Sequence, residues 1–259
     1  MKIPEIKIEN HQKIYEHLRD YKQNPKFMRR WYAFHGNLLN PRVRYAKGAR
    51  KDLDLIRDKD YHHIYVTNHR GDSDGYILSA ILHKVAPTDA GRVRLLTHSM
   101  GFESVFARLC RNLGTIPVFL KIYYTTSKRH KNHPERLAFV PEAAESMIDC
   151  LVAVMTEHRQ KIFILPEGAF NLGAPDTLLP IRKGTAVVAH RVARIDGPVA
   201  ITPIGIAYGK KKRRFDIPFN ASLYVERPIF VESGMTVDEI TEQVDATLLS
   251  SVKEAVKRY

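Results

Sequence analysis

The chain has 259 residues, 44% hydrophobic and 27% charged, enough for one large folded domain with a substantial core. Its longest apolar run is six residues, Cys150-Leu151-Val152-Ala153-Val154-Met155, while a membrane-crossing helix needs about 20. Lysine and arginine number 41 against 28 acids, a net charge of +13 that points to a polyanionic partner such as an anionic membrane surface.

The N-terminus, Met1-Lys2-Ile3-Pro4-Glu5, has no apolar stretch and no small-residue cleavage site, so no secretory leader is expected. Residues 1–24 are polar and read as a loosely attached arm or short helix. Asn24-Pro25 is a cap followed by a first-turn proline, opening a helix that Asn40-Pro41 ends. On it Phe27, Trp31, Phe34 and Leu38 share one face, with Met28, Tyr32 and Leu39 beside them and Lys26, Arg29 and Arg30 off it. Two readings stand: a helix packed on the core, or a basic, aromatic-rich helix lying in a membrane interface. The basic character continues, with nine basic and two acidic residues over 26–57 and an unbroken run, Lys210-Lys211-Lys212-Arg213-Arg214.

Beyond residue 41, strand-like runs are predicted near 42–47, 62–68, 93–98, 115–121, 161–165, 199–207 and 222–231. Helical periodicity fills most of the gaps. Ile77, Ala80, Ile81 and Val85 share a face, as do Phe102, Val105, Phe106, Leu109 and Leu113, and Ala144, Met147, Ile148, Leu151 and Met155. A capping box, Thr236-x-x-Glu239, opens the last helix, whose apolar face is Val237, Ile240, Val244 and Leu248. Cys110 and Cys150 fall on apolar helical faces and read as buried, reduced thiols of a cytoplasmic protein. The alternation predicts an α/β fold, a single-domain sandwich with a largely parallel mixed sheet flanked by helices. Residues 1–41 form the N-terminal helical arm and 42–259 the α/β domain.

Four segments carry chemistry. In Val66-Thr67-Asn68-His69-Arg70-Gly71-Asp72-Ser73-Asp74, a strand ends in a histidine with an aspartate five positions on. A neutral imidazole removes a proton from a hydroxyl near neutral pH, and a neighbouring carboxylate fixes its tautomer and stabilises the imidazolium. Gly71 permits a tight turn, Asp72 or Ser73 caps the next helix, and the plainer reading of Asp74 is a first-turn carboxylate. The second segment is a strand, Gly114-Thr115-Ile116-Pro117-Val118-Phe119-Leu120-Lys121, with Lys121 placed to reach a phosphate. The third, Leu165-Pro166-Glu167-Gly168-Ala169-Phe170, puts a carboxylate at a strand end, to bind hydroxyls or to form a structural salt bridge. After it, Arg182-Lys183-Gly184 leads into a helix whose amides and two cations suit an anion. The fourth, Val199-Ala200-Ile201-Thr202-Pro203-Ile204, is a strand in which Pro203 predicts an edge or a bulge.

In this order and spacing the four segments resemble the blocks of the glycerolipid acyltransferase family, whose members acylate glycerol-3-phosphate or lysophosphatidate. The resemblance spans about residues 42 to 231, and the Asn68-His69…Asp74 and Pro166-Glu167-Gly168 blocks are its specific parts. It implies acyl transfer from a thioester, acyl-CoA or acyl carrier protein, to a hydroxyl of a lysophospholipid or related lipid, with no covalent acyl-enzyme. His69 would be the general base and Asp74 its orienting partner. Glu167 and Gly168, with Lys121, Arg182 and Lys183, would hold the acceptor, and Pro203 and Ile204 would line the acyl or thioester side. No metal and no tightly held cofactor is implied. The chain departs from the family where an arginine commonly ends the second block, since Lys121 is the nearest cation to Phe119 and Leu120. It departs again where Ala169-Phe170 replaces Thr-Arg, and both changes favour a bulkier or less anionic acceptor. The hydrophobic N-terminal hairpin of many relatives is absent, leaving the basic surface to hold the protein on the inner face of a membrane.

The competing readings are a nucleic-acid binder, a metal site and a catalytically impaired lipid-binding relative of the same fold. The first lacks any helix-turn-helix, zinc ligand set or RNA-binding aromatic signature. For the second, His62 and His63 point to opposite faces of a strand, and no cysteine or carboxylate completes a shell with His69. The third is opposed by His69, Asp74 and Glu167 all being present.

Overall fold

The computed structural model describes residues 4–71, 74–103, 107–126, 133–208, 219–257 and 259. The expected cap at Asp72 or Ser73, the stripe positions Val105 and Phe106, and the basic run 210–214 lie outside these residues.

In chain order the elements are α1 (His11–Arg19), α2 (Pro25–Leu39), β1 (Arg42–Tyr45), α3 (Ala49–Asp58), β2 (His62–Thr67), α4 (Asp74–Lys84), β3 (Val93–His98), α5 (Ala107–Asn112), β4 (Ile116–Val118) and α6 (Lys121–Thr126). There follow α7 (Val140–Thr156), β5 (Lys161–Ile164), α8 (Gly184–Asp196), β6 (Val199–Ala207), β7 (Ser222–Val225), β8 (Ile229–Val231) and α9 (Val237–Val256). The predicted strand over 222–231 is thus two strands, parted at Glu226-Arg227-Pro228. Two helix starts are as the sequence wrote them. The Asn24 side chain accepts from the Phe27 amide at 3.0 Å, and Thr236 and Glu239 close both halves of the capping box.

The strands form one eight-stranded sheet in the order β1-β7-β6-β2-β5-β3-β4, with β8 also on β6. Pairings from β6 through β2, β5 and β3 to β4 are parallel, as is β1 with β7; β7 and β8 run antiparallel to β6. Pro203 overturns the expected edge or bulge, since it lies within the buried nine-residue β6 beside central β2. The ladder on its other side changes partner there: β8 pairs Val199 to Ile201, and β7 pairs Ile204 to Ala207. The Pro203 carbonyl accepts from the Glu226 amide in that gap, so its missing N–H falls where no strand asks for one.

Side chains alternate between two cores. Ile64, Val66, Ile162, Ile164, Val199 and Ile201 pack with α7, α8 and α9, whereas Tyr65, Phe163, Leu95, Ile204 and Leu223 pack with α2 and α4. Ile14, Tyr15 and Leu18 of α1 are buried in the first core, so the N-terminal segment is firmly seated instead of loosely attached. The fully buried Arg94 ties the following loop to the sheet. It donates to the carbonyls of Tyr21 and Gly114 and to Gln160, and burial lowers its pKa to about 10.

Helix α2 buries Met28, Tyr32, Gly36 and Leu39 against α4, with Gly36 at the crossing, where a Cβ would come within 2.3 Å of His83. Of the Phe27–Trp31–Phe34–Leu38 face, Phe34 and Leu38 point outward, 61% and 48% exposed, while Phe27 and Trp31 are half-buried against the second core. On α7 the expected Leu151 and Met155 are buried and Met147 and Ile148 are half-buried against the first core, but Ala143 is buried in place of the exposed Ala144, and Cys150 and Val154 join the stripe. Cys110 and Cys150 are unpaired.

Candidate active site

Strand β2 pairs with β6 as far as Thr67 and Ile204, and beyond that point a side chain takes over from the backbone. The buried Asn68 carboxamide accepts from the Ile206 amide at 2.8 Å and donates to the Ile206 carbonyl at 3.0 Å. These are the two bonds a ladder residue would make, so β6 stays aligned while the main chain turns away from the sheet. The next residue, His69, is thereby presented at the carboxyl end of the parallel strands, where open α/β sheets bind ligands.

The His69 Nδ1 lies 2.7 Å from Asp74 Oδ2, with the histidine side chain 24% exposed and the aspartate 1% exposed. The same Oδ2 accepts from the amides of Arg70 and Gly71, at 2.6 and 3.0 Å, while Oδ1 accepts from the Tyr208 hydroxyl. Asp74 heads α4, as the plainer reading had it, and is also the orienting partner of the imidazole. With Nδ1 donating to Asp74, Nε2 is the ring nitrogen whose lone pair can accept a proton.

Glu167 follows β5, the other neighbour of β2. Its carboxylate is buried: Oε1 accepts from the His69 amide at 2.6 Å and Oε2 from the Leu179 amide at 2.7 Å. Burial pushes its pKa up, against the two amides that pull it down. Glu167, expected to bind the acceptor or form a salt bridge, braces the backbone of His69 and of the 171–183 loop through its two oxygens. Gly168 has φ of 62°, a left-handed turn suited to glycine, and Arg182 lies across it: a Cβ there would come within 2.6 Å of the guanidinium Nε. Phe170 packs on His69 with ring centroids 4.4 Å apart. The loop after it is tied down by the Asn171 amide on the His69 carbonyl and by the Arg70 guanidinium on the carbonyls of Gly173 and Ala174.

Other expected residues are placed differently. Lys121 opens α6 at the carboxyl end of β4, exposed and three strands along the sheet from β2. Lys183 pairs with Asp238 at 2.6 Å, so of the two cations before α8 only Arg182 lies over the Glu167-Gly168 turn. Pro203 and Ile204 are buried within β6, where Ile204 belongs to the core and its carbonyl accepts from the Thr67 hydroxyl. The three histidines once weighed as a metal site have separate partners, His62 on Asp196, His63 on Thr202 and His69 on Asp74. Among the described residues no group of three His, Cys, Asp or Glu is arranged to hold a metal ion.

Sequence reasoning did not single out the Asn68 clasp, the packing of Phe170 on His69 or the Tyr208 hydroxyl. Phe170 had a signal, because it stands where a cationic side chain is common. Tyr208 had none, since an aromatic just past a strand looks like any core residue.

A family model described as Acyltransferase matches residues 52–207. The fold is similar to that of the 1-acyl-sn-glycerophosphate (LPA) acyltransferase PlsC from Thermotoga maritima, with a TM-score of 0.51 and 16% sequence identity over 95% of this chain and 82% of that one. A search of curated proteins finds no match.

Proposed function

The chain belongs to the acyltransferase family, and from that premise we propose that it moves a fatty acyl group from acyl-CoA or acyl carrier protein to a hydroxyl of a lysophospholipid or related lipid. The observation that carries this reading is the His69–Asp74 pair, braced by Glu167 and open to solvent on the imidazole alone. His69 Nε2 takes the proton of the acceptor hydroxyl as its oxygen attacks the thioester carbonyl. Asp74 holds the Nδ1–H and stabilises the imidazolium. The tetrahedral intermediate collapses, the C–S bond breaks, and the thiolate takes the proton back from His69. The products are an oxygen ester and a free thiol, with no covalent acyl-enzyme and no metal or other cofactor required.

Phe170 on the imidazole favours an acceptor that is apolar or bulky next to its hydroxyl, and Arg182 over Gly168 is the cation nearest to that turn. No helix of the described residues is long and apolar enough to cross a membrane. We therefore place the protein on the cytoplasmic face of an anionic membrane as a peripheral protein, held by its basic surface and by the outward face of α2. The T. maritima protein acts, by its title, on a 1-acyl-sn-glycerophosphate, and such lysolipids belong in the acceptor panel.

The test is acyl transfer from labelled long-chain acyl-CoA and acyl carrier protein to lysophospholipids and other hydroxylated lipids. His69→Ala is expected to lower turnover at least 100-fold, the usual scale of general-base catalysis, and to leave vesicle binding unchanged. Turnover near wild type in this variant removes His69 from the mechanism. Folded, vesicle-binding protein that transfers nothing from either donor indicates the catalytically impaired lipid-binding relative.

A further inference from the structure

Asp74 is held at both oxygens, and only one is accounted for by the motif it belongs to. Oδ2 carries the imidazole and two backbone amides supplied by its own loop. Oδ1 is met from 134 residues away, by the hydroxyl of Tyr208 just past the end of β6. We infer that Tyr208 is a positioning residue for acyl transfer, fixing the plane of the Asp74 carboxylate so that Oδ2 stays on the His69 Nδ1–H.

The placement is built. Ile204, Ile206 and Tyr208 lie at alternate positions and pack in the same core, and Tyr208 is 8% exposed. The Asn68 clasp holds Ile206, two residues earlier, by its amide and its carbonyl. The residue that precedes His69 thus also sets where the tyrosine ring points. The three central strands each send one group to the same loop: β2 presents His69, the segment after β5 sends Glu167 to the His69 amide, and β6 sends Tyr208 to Asp74. A carboxylate held at one oxygen pivots about that contact, whereas one held at both does not, and the imidazole it orients keeps Nε2 directed at the substrate.

The bland account is that a buried carboxylate needs its lone pairs filled, with no consequence for rate. The two separate in a double-mutant cycle, because a residue acting through Asp74 has nothing to act through once Asp74 is changed. The inference rests on the proposed acyl transfer. Tyr208→Phe is expected to lower kcat about tenfold, with KM within about twofold, because the hydroxyl bonds a charged group. On an Asp74→Asn background the same change is expected to cost nothing further. Equal losses on both backgrounds, or no loss on either, overturn the inference. Tyr208→Met removes the hydroxyl with different packing, and a kcat effect unlike that of Tyr208→Phe would assign the loss to packing. The His69 Nδ1–H proton resonance reads the pair without turnover and is expected to move in Tyr208→Phe; an unmoved resonance overturns the inference. If wild-type protein transfers nothing with any donor or acceptor, the functional reading fails and this resonance alone decides the role of Tyr208.

Discussion

Glu167 and His63 are both buried polar residues, one beside the central strand and one within it, and each is explained by what fills its hydrogen-bonding capacity. Glu167 spends its two oxygens on amides that lie 98 and 12 residues away in sequence. Spacing alone marks it as a carboxylate at a strand end but cannot show that both oxygens bond backbone amides. His63 is 1% exposed, its Nε2 2.7 Å from the Thr202 hydroxyl and its Nδ1 3.9 Å from Asp89, with Lys161 also acting on it. Burial first, then Lys161, lowers its pKa from 6.5 to about 3. The folded state therefore holds His63 neutral where the unfolded chain is protonated. Its contribution to stability is fully present above pH 6.5 and is lost as pH falls from 6.5 toward about 3. One proton of difference is worth about 1.4 kcal/mol per pH unit in that window. His63→Gln removes the titrating group, so urea midpoints at pH 7, 6 and 5 are expected to fall more steeply for wild type than for the variant. Parallel slopes would show that His63 is protonated in the folded protein.

At the scale of elements, the sequence was legible wherever the determinant is local. Asn24 and the Thr236–Glu239 box set helix starts through bonds spanning three residues, and both are found where spacing puts them. The alternation of strands and helices gave the sheet for the same reason. What pattern could not show is which neighbour an element meets. Helix α2 is apolar on two faces, and only the crossing with α4 at Gly36 decides that Met28 and Tyr32 go inward while Phe34 and Leu38 go out. On α7 two alanines stand side by side at 143 and 144, so which of them starts the buried stripe turns on a partner the sequence does not name. Pro203 read as an edge because the switch from β8 to β7 along β6 is a tertiary fact. Gly205 belongs to the same class. A Cβ there would lie 2.1 Å from the Ser251 carbonyl oxygen and 2.5 Å from the Val252 amide, so α9 rests backbone-to-backbone on β6. Neither side can yield by a rotamer change, and overpacking of that kind costs up to about 3 kcal/mol or more. Gly205→Ala is expected to lower stability by about that amount in denaturant unfolding, while Gly234→Ala, with nothing within 4 Å, stays near wild type. An unchanged midpoint for Gly205→Ala would mean that α9 does not sit this close to the sheet.

For the whole molecule, exposed apolar side chains gather at the end that carries His69. Phe34 meets His35, which stacks on Tyr76 in the first turn of α4, two residues from Asp74. Leu172, 85% exposed, sits on the loop tied to Arg70. Exposed apolar side chains thus stand on two elements beside the His69 loop; exposed Arg42 lies just beyond that end of α2, whereas exposed Lys26, Arg29 and Arg30 lie at its other end, where Pro25 and Arg29 approach Gly91 ahead of β3. On a chain with net charge +13, this arrangement suits a bilayer surface that supplies both the anionic headgroups and the acceptor lipid. The two contributions respond to different perturbations. Each basic residue near an anionic surface adds roughly 1 kcal/mol, screened within about 10 Å at 0.1 M salt. Burying a phenylalanine or leucine side chain adds about 1.5–3 kcal/mol and does not depend on salt in that way. Sedimentation with phosphatidylglycerol-containing vesicles is therefore expected to show binding that weakens at least tenfold between about 0.05 and 0.5 M salt, and little binding to vesicles of phosphatidylcholine alone. Phe34→Ser with Leu38→Ser is expected to reduce binding at least tenfold at low salt, without moving the thermal midpoint, because neither side chain is in the core. Equal binding to neutral vesicles would remove the basic surface from the attachment. Full binding by the double variant would leave α2 as an ordinary packed helix whose outer face is merely exposed.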